Sequence, residues 1–241
     1  MSVQDRIATP DGKRRYVRTL FATIADRYDL ITVILSYGRD RGWKQRLVAL
    51  AAPAPDACAL DLATGTGDIA FAVHQHTPRV VGLDVTRRMI EIATQKARAA
   101  QSPAARAPVF LVGDMVSLPF AAASFDLVTT GYGLRNVPDL TAAIDEMLRV
   151  LKPGGQALSL DFNRPANGFI RTIYLWYLTI VGGALGWMLH GDPDTYRYIP
   201  ASIRNYPGAA GVADLMRARG FSRVRHYPVL VGFMAIHHAT K

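Results

Sequence analysis

Residues 59–70 read ALDLATGTGDIA, and this stretch decides the fold. A short apolar run carries Asp61, opens into a loop with Gly65 and Gly67, and continues through Asp68 into a helical pattern. Glycine permits a sharp turn and a close approach of backbone to ligand that a Cβ would obstruct. Strand-like and helix-like segments alternate on either side of it. Strands are predicted at Cys58–Leu62, Val80–Asp84, Val109–Val112, Phe125–Thr130 and Gln156–Phe162, and helices at Asp68–Gln75, Arg87–Ala100 and Leu140–Leu151. Such alternation implies right-handed crossovers and a parallel sheet covered by helices. Near the end, a helix over Gly211–Arg219 precedes strands over Phe221–Pro228 and Val231–Ala239, which are too close together to be anything but antiparallel. The expected fold is α/β: a doubly wound, mostly parallel seven-stranded sheet with a C-terminal antiparallel hairpin.

The spacing Gly65-x-Gly67-x-x-Ala70, with Asp84 about twenty residues on, also fits a dinucleotide fingerprint. The flanking acids oppose that reading, because a pyrophosphate at this turn would meet Asp61 and Asp68. S-adenosylmethionine, with an ammonium and a sulfonium and no phosphate, suits the same surroundings. Open α/β sheets bind ligands beyond the carboxyl ends of their strands. Those ends supply Asp61 and the glycine loop, then Asp84 as an acceptor for two ribose hydroxyls. Asp114 with Met115 follows for an adenine ring, and then Thr130, Gly131, Tyr132 and Gly133. Asp84 or Asp114 alone could instead cap the helix that follows. Acids at three successive strand ends argue for a shared ligand.

Composition sets the bounds. The 241 residues fit one domain, and 50% hydrophobic with 20% charged residues excludes a disordered chain. The single cysteine, Cys58, excludes an internal disulfide and accords with a reducing, cytoplasmic location. Residues 1–13 hold no apolar core of the kind a signal peptide needs. The net charge of +9 gathers early, at Lys13, Arg14, Arg15 and Arg18 and again at Arg39, Arg41, Lys44 and Arg46. That charge fits an anionic membrane or plain solubility. It does not favour nucleic acid, since no platform of spaced aromatics accompanies it. No metal site is expected: His74 and His76 do not face together on a helix, and His237 and His238 alternate across a strand.

The amino-terminal region, 1–52, is expected to be a helical lid, with helices over Asp11–Tyr28 and Trp43–Ala51. Between about 165 and 210 lies an apolar insertion, and Thr172–Gly191 contains no Asp, Glu, Lys or Arg. Its length approaches that of a bilayer crossing. Gly182, Gly183 and Gly186, and the return of the chain to the same sheet, point instead to a greasy lid or a helix lying at a membrane surface. Packing inside the core is the plainer alternative.

Longer segments carry a family resemblance. FATIADRYDLITVILSYGRDRGWK, LDLATGTGD, GLDVTRRMI, GDMVSLPFAAASFDLVTTGYGLRNVPD, MLRVLKPGG, YRYIPASIR and GFMAIHHATK together resemble the ubiquinone/menaquinone biosynthesis C-methyltransferases (the UbiE type) over nearly the whole chain. The resemblance implies a class I methyltransferase fold, S-adenosylmethionine as donor, and C-methylation of a prenylated quinol. Its donor site falls on Thr66, Asp84, Asp114 and Met115. Gly131 stands where the family commonly has serine, and Thr32 where asparagine is usual after RYD. Carbon becomes nucleophilic when the neighbouring phenol loses its proton, and Arg135 is placed to stabilise that phenolate. Asn136 would orient a ligand or cap the next helix. Tyr196 and Tyr198 would pack on the quinol ring or bond its oxygen, or form an ordinary aromatic pair. Tyr28 and Asp29 belong to the lid. N- or O-methylation of another small molecule stays open, as does monomer against homodimer.

Overall fold

In the computed structural model residues 3–100, 107–165 and 167–241 are described. Residues 1, 2 and 166, which fall within the expected lid and insertion, lie outside them. A single sheet has the order β3-β2-β1-β4-β5-β7-β6. Its strands are β1 (Cys58–Leu62), β2 (Arg79–Asp84), β3 (Val109–Val112), β4 (Phe125–Gly131), β5 (Leu151–Phe162), β6 (Arg223–Val229) and β7 (Met234–Thr240). β1 to β5 pair in parallel, and β7 runs antiparallel between β5 and β6. The order reverses between β1 and β4, so their carboxyl ends border the crevice where such sheets bind ligands. Central strands are apolar because both faces are covered: Leu60, Leu62, Val128 and Leu158 are fully buried.

Ten helices surround the sheet among the described residues. They are α1 (Val3–Arg6), α2 (Pro10–Ile24), α3 (Tyr28–Leu35), α4 (Asp40–Ala51), α5 (Asp68–His74), α6 (Arg87–Ala100), α7 (Leu140–Val150), α8 (Gly168–His190), α9 (Asp194–Arg204) and α10 (Gly208–Ala218). Local chemistry sets several boundaries. Asp139 caps α7 by accepting the Ala142 N–H at 3.0 Å, and the buried Ala143, Ile144 and Met147 recur on one side. Asn167 caps α8, and Gly191 ends it in the left-handed region at φ 68°.

The sequence reading needs four corrections here. The first lid helix stops at Ile24, and after a single 3-10 turn α3 follows where no element was expected. Its β-branched run, Ile31-Thr32-Val33-Ile34, has no helical signature of its own. α9 was likewise unforeseen, since Pro200 lies inside it. β5 starts at Leu151, five residues early, with an irregularity in its pairing to β4 between Phe125 and Leu127. Finally, Lys44 is no surface charge. It is buried, with Nζ 2.5 Å from Asp40 and 2.8 Å from Asp68.

α8 shows why the insertion is so apolar on two sides. Its glycine side meets α9: a Cβ on Gly182 would come within 3.0 Å of the Tyr196 carbonyl oxygen, and one on Gly186 within 2.5 Å of the Asp192 carbonyl oxygen. The opposite side is exposed, so core packing does not account for the segment.

Candidate active site

The glycine loop is held from below and shaped from above. Asp84 ends β2 and accepts the Gly65 N–H on Oδ2 at 3.0 Å and the Thr86 N–H on Oδ1 at 2.8 Å. The second bond is a local turn ahead of α6, since it reaches Thr86 before the helix and not a free N–H of its first turn, and the first clamps the loop. A carboxylate has about four lone-pair sites, so two remain toward the crevice. Gly65 sits at φ 55° with only Tyr28 near its absent Cβ, which leaves backbone facing the cleft. Gly67, at φ 95°, serves packing instead, because a Cβ there would strike Phe71 and Phe110 at 2.8 and 2.9 Å.

Backbone strain marks the same place. Ala63 (φ 49°) and Tyr132 (φ 60°) are left-handed without being glycine, at the carboxyl ends of β1 and β4. Such conformations cost about 1–3 kcal/mol and gather at ligand sites. Tyr132 is held there by its hydroxyl, which donates to Asp40 at 2.5 Å. Both residues line a cleft of about 700 Å³ together with Gly65, Asp84, Met89, Asp114, Met115 and Gly131. Gly131 has no hydroxyl to offer, and the space its Cβ would take is occupied by Ile69 Cδ1 at 2.6 Å.

A narrow extension of this cleft ends at Asp61, Thr64, Thr66 and Asp68. Asp61 is fully buried and accepts from Thr64 Oγ1 at 2.6 Å and Thr129 Oγ1 at 2.8 Å. Burial pushes its carboxyl up to about 6 despite those bonds. Asp68 differs, because Lys44 and, at 3.7 Å, Lys96 neutralise it. The repulsion that the sequence assigns to both acids therefore rests mainly on Asp61.

The lid closes the cleft with its own side chains. Asp29 accepts from Thr66 Oγ1 at 2.6 Å and from Lys96 Nζ at 2.6 Å. The hydroxyl of Thr66 is thus used to fasten α3 to the glycine loop. Arg14 of α2 reaches Asp114, Nε to Oδ2 3.4 Å, while Asp114 Oδ1 accepts the Val116 N–H. Lys13 Nζ donates to the Arg135 carbonyl at 2.8 Å; burial and the Arg135 guanidinium bring its pKa down to about 8.

Past Phe21, Tyr28 and Tyr132 the cleft meets a second, apolar cavity of about 880 Å³, whose wall includes Arg135, Phe162, Tyr174, Tyr196 and Tyr198. Arg135 is 6% exposed. Its Nε lies 3.0 Å from Asp161 Oδ1, its backbone N–H donates to Asp161 Oδ2, and Nη1 donates to Asn136 Oδ1 and Ser202 Oγ. The Nε–H axis misses Asp161, so this is an ion pair with one donor left without a hydrogen bond. The guanidinium also lies 4.8 Å from the Phe162 ring centre. Asn136 is no helix cap: Nδ2 donates to the Tyr132 carbonyl, and Oδ1 accepts from the Tyr198 hydroxyl at 2.9 Å. Tyr196 is tied to His190 across 2.9 Å. Desolvation raises the pKa of both tyrosines, so they are neutral donors at physiological pH.

Two compartments thus share a wall at Phe21, Tyr28 and Tyr132, one edged by strand-end carboxylates and the other apolar. The sequence model of the ubiE/COQ5 methyltransferase family matches residues 9–241. The chain belongs to this family. Its similarity extends to a demethylmenaquinone methyltransferase of Roseiflexus sp., 39% identical over 96% of both chains, and to one of Deinococcus radiodurans, 38% identical over 96% of both. A ubiquinone/menaquinone biosynthesis C-methyltransferase of Cereibacter sphaeroides is 35% identical over 96% of this chain and 93% of its own. Among solved structures, the magnesium protoporphyrin IX methyltransferase of Synechocystis, with bound SAH, superposes at a TM-score of 0.65 with 17% identity, covering 95% of this chain and 99% of that one. As a member of the ubiE/COQ5 family the chain is a methyltransferase with the doubly wound mixed sheet expected of it.

Asp161, Asp40, Arg14 and Lys13 contact residues of the candidate site and were not foreseen there. Asp161 had a signal, since it lies at the carboxyl end of the fifth strand in the position that singled out Asp61 and Asp84 at theirs. The lid residues had none, because only the tertiary fold brings α2 over the sheet. No group of three or more metal-ligating side chains occurs among the described residues.

Asp61 gives a pH prediction. Its folded pKa of about 6 exceeds the unfolded value of about 3.9, so between them the native state binds the extra proton and this group's contribution to stability falls as pH rises. A cation bound beside it favours the carboxylate. Affinity for the cationic donor therefore weakens below pH 6, by up to about tenfold per unit, and is level above it. Calorimetry from pH 5 to 8 should show that slope in the native protein and none in Asp61→Asn. Equal slopes in both would remove Asp61 from the donor site.

Proposed function

We propose that this chain transfers a methyl group from S-adenosylmethionine to a ring carbon of a prenylated quinol, with demethylmenaquinol as the acceptor. One observation carries the reading: a cleft edged by strand-end carboxylates shares its Phe21, Tyr28 and Tyr132 wall with an apolar cavity lined by a buried guanidinium. The naphthoquinol is favoured over the benzoquinol because relatives named for demethylmenaquinone are 38–39% identical, against 35–36% for those named for both quinones.

The residues fit the donor. Asp84 has lone pairs left for two ribose hydroxyls, Asp114 and Met115 border the place of an adenine ring, and Asp61 ends the extension that would take an ammonium. Gly65 and Gly131 allow close approach, and Thr66 acts by fastening the lid. The bound donor supplies an electrophilic methyl on a positively charged sulfur. The chain must make carbon nucleophilic. Arg135 lowers the acceptor phenol's pKa by stabilising its anion, and it acts as a fixed charge, since a guanidinium does not give up its proton. Asp161 holds Arg135 in place, Asn136 links it to Tyr198, and Tyr196 with Tyr174 walls the ring site. The lid excludes water from the sulfonium and the phenolate.

A prenyl tail is soluble in lipid, so the enzyme would work in the cytoplasm at the inner face of the membrane. α8 is long and apolar enough to cross a bilayer, yet its glycine side is committed to α9. Peripheral contact is the geometry that suits both. Purified protein incubated with donor labelled in the methyl group, and with demethylmenaquinol and its benzoquinol counterpart in competition, should put label on the naphthoquinol ring carbon. Label on an oxygen or a nitrogen, or no labelled lipid from protein that binds donor, overturns the reading.

A further inference from the structure

The apolar cavity has a second end. Away from Arg135 it passes between α3 and α8 to Tyr37, Tyr177 and Leu230. Tyr37 there is 67% exposed. Three elements turn large apolar side chains outward around this mouth. On α8, Phe169, Ile173, Trp176, Ile180 and Trp187 are exposed and recur at three, four or seven residues, which makes one continuous stripe. On α3, Leu30, Val33 and Ile34 are exposed. Between β6 and β7 the chain turns at Leu230 and Val231, and Val231 is 98% exposed.

That last turn is costly in water. Leu230 (φ 50°) and Val231 (φ 54°) are consecutive left-handed residues, and neither is glycine. Each costs about 1–2 kcal/mol relative to the ordinary conformation. A β-branched residue is the worst suited to it. The strain holds an apolar side chain out in solvent, and strain of this kind persists where it has a use. Contiguous exposed apolar surface marks contact with protein or lipid.

Two observations choose lipid. The patch is continuous with the cavity assigned to the acceptor ring, so this inference rests on that assignment. Its charge is also one-sided: exposed Arg39 and Arg41 follow Tyr37, and α8 carries Arg171 and no acid over its 23 residues. Tryptophan and tyrosine at the rim with arginine beside them suit the headgroup level of an anionic bilayer.

We infer that the outer sides of α8 and α3 and the Leu230–Gly232 turn form the membrane-contacting face. The gap at Tyr37, Tyr177 and Leu230 is the passage through which a prenyl tail stays in lipid while its ring reaches Arg135. The protein inserts shallowly and does not span.

The test compares wild type with the triple variant Val33→Asp, Trp176→Asp, Val231→Asp, none of which lines either cavity. Donor affinity in solution reports that the variant is folded. Sedimentation with vesicles of phosphatidylcholine and phosphatidylglycerol reads binding. Methylation is followed on a long-tailed quinol within those vesicles and on a one-isoprene quinol in buffer. The variant should lose at least tenfold in vesicle binding and in turnover of the embedded acceptor, while turnover of the soluble acceptor stays within twofold. Wild-type-like sedimentation, or equal loss on both acceptors, overturns the face. So does a wild type that stays off vesicles and forms a dimer that the variant disrupts, since the patch then covers a second copy. A wild type that sediments through this face but methylates neither acceptor supports the face and defeats the acceptor assignment, which separates the two failures.

Discussion

Arg135→Ala is expected to lower turnover by about 10²–10³-fold while donor affinity changes little. The size follows from what one preorganised charge contributes at a developing oxyanion in a site shielded from water. The separation of effects follows from position: Arg135 lines the acceptor cavity, whereas the carboxylates that would meet the donor lie across Tyr132. Arg135→Lys sharpens the test. It keeps the charge but cannot reproduce the bonds to Asn136 and Ser202 together with the ion pair to Asp161, so turnover should recover only in part. Single-turnover rates with donor bound beforehand, beside calorimetric affinity, measure both quantities. If affinity fell and turnover per bound donor did not, Arg135 would be a donor ligand.

Asp161→Asn should be the most destabilising single change in the site, by about 3–5 kcal/mol, because it leaves a buried guanidinium without its counter-charge. Both partners are nearly inaccessible, Asp161 at 1% and Arg135 at 6% exposed. Burial raises the Asp161 pKa, and Arg135 and two backbone N–H groups oppose that rise, so the carboxylate depends on its partner. Replacing both, as Asp161→Leu with Arg135→Met, should recover much of the lost stability and none of the activity, since a buried pair is often no better than apolar residues of similar volume. Chemical denaturation of wild type, Asp161→Leu, Arg135→Met and the double variant gives the coupling. A cost below about 1 kcal/mol for Asp161→Asn would mean that water reaches the pair.

Much of this was legible from period and punctuation. The alternation of strands and helices, the glycine turn and the acids at strand ends depend on neighbours close in sequence, and they survive in the structure to within a few residues. What escaped depends on distant contacts. Lys44 reads as one basic residue among several until α4 is packed on the glycine loop, where Asp40 and Asp68 bury it. That the Thr66 hydroxyl also fastens the loop to Asp29 of α3 had no signal in the sequence. α3 escaped because its β-branched run reads as no helix and because Leu30, Val33 and Ile34 on its outer side are as apolar as the buried Ile31. Gly182, Gly183 and Gly186 gave a reason against spanning, but which helix they admit was beyond the sequence.

Phe21 and Tyr28 are wall to the donor cleft and to the acceptor cavity at once. Truncating either ring opens both compartments together. On the function proposed above, Phe21→Ala should therefore weaken nucleoside and quinol alike, and a variant that lost only one of them would separate the two berths.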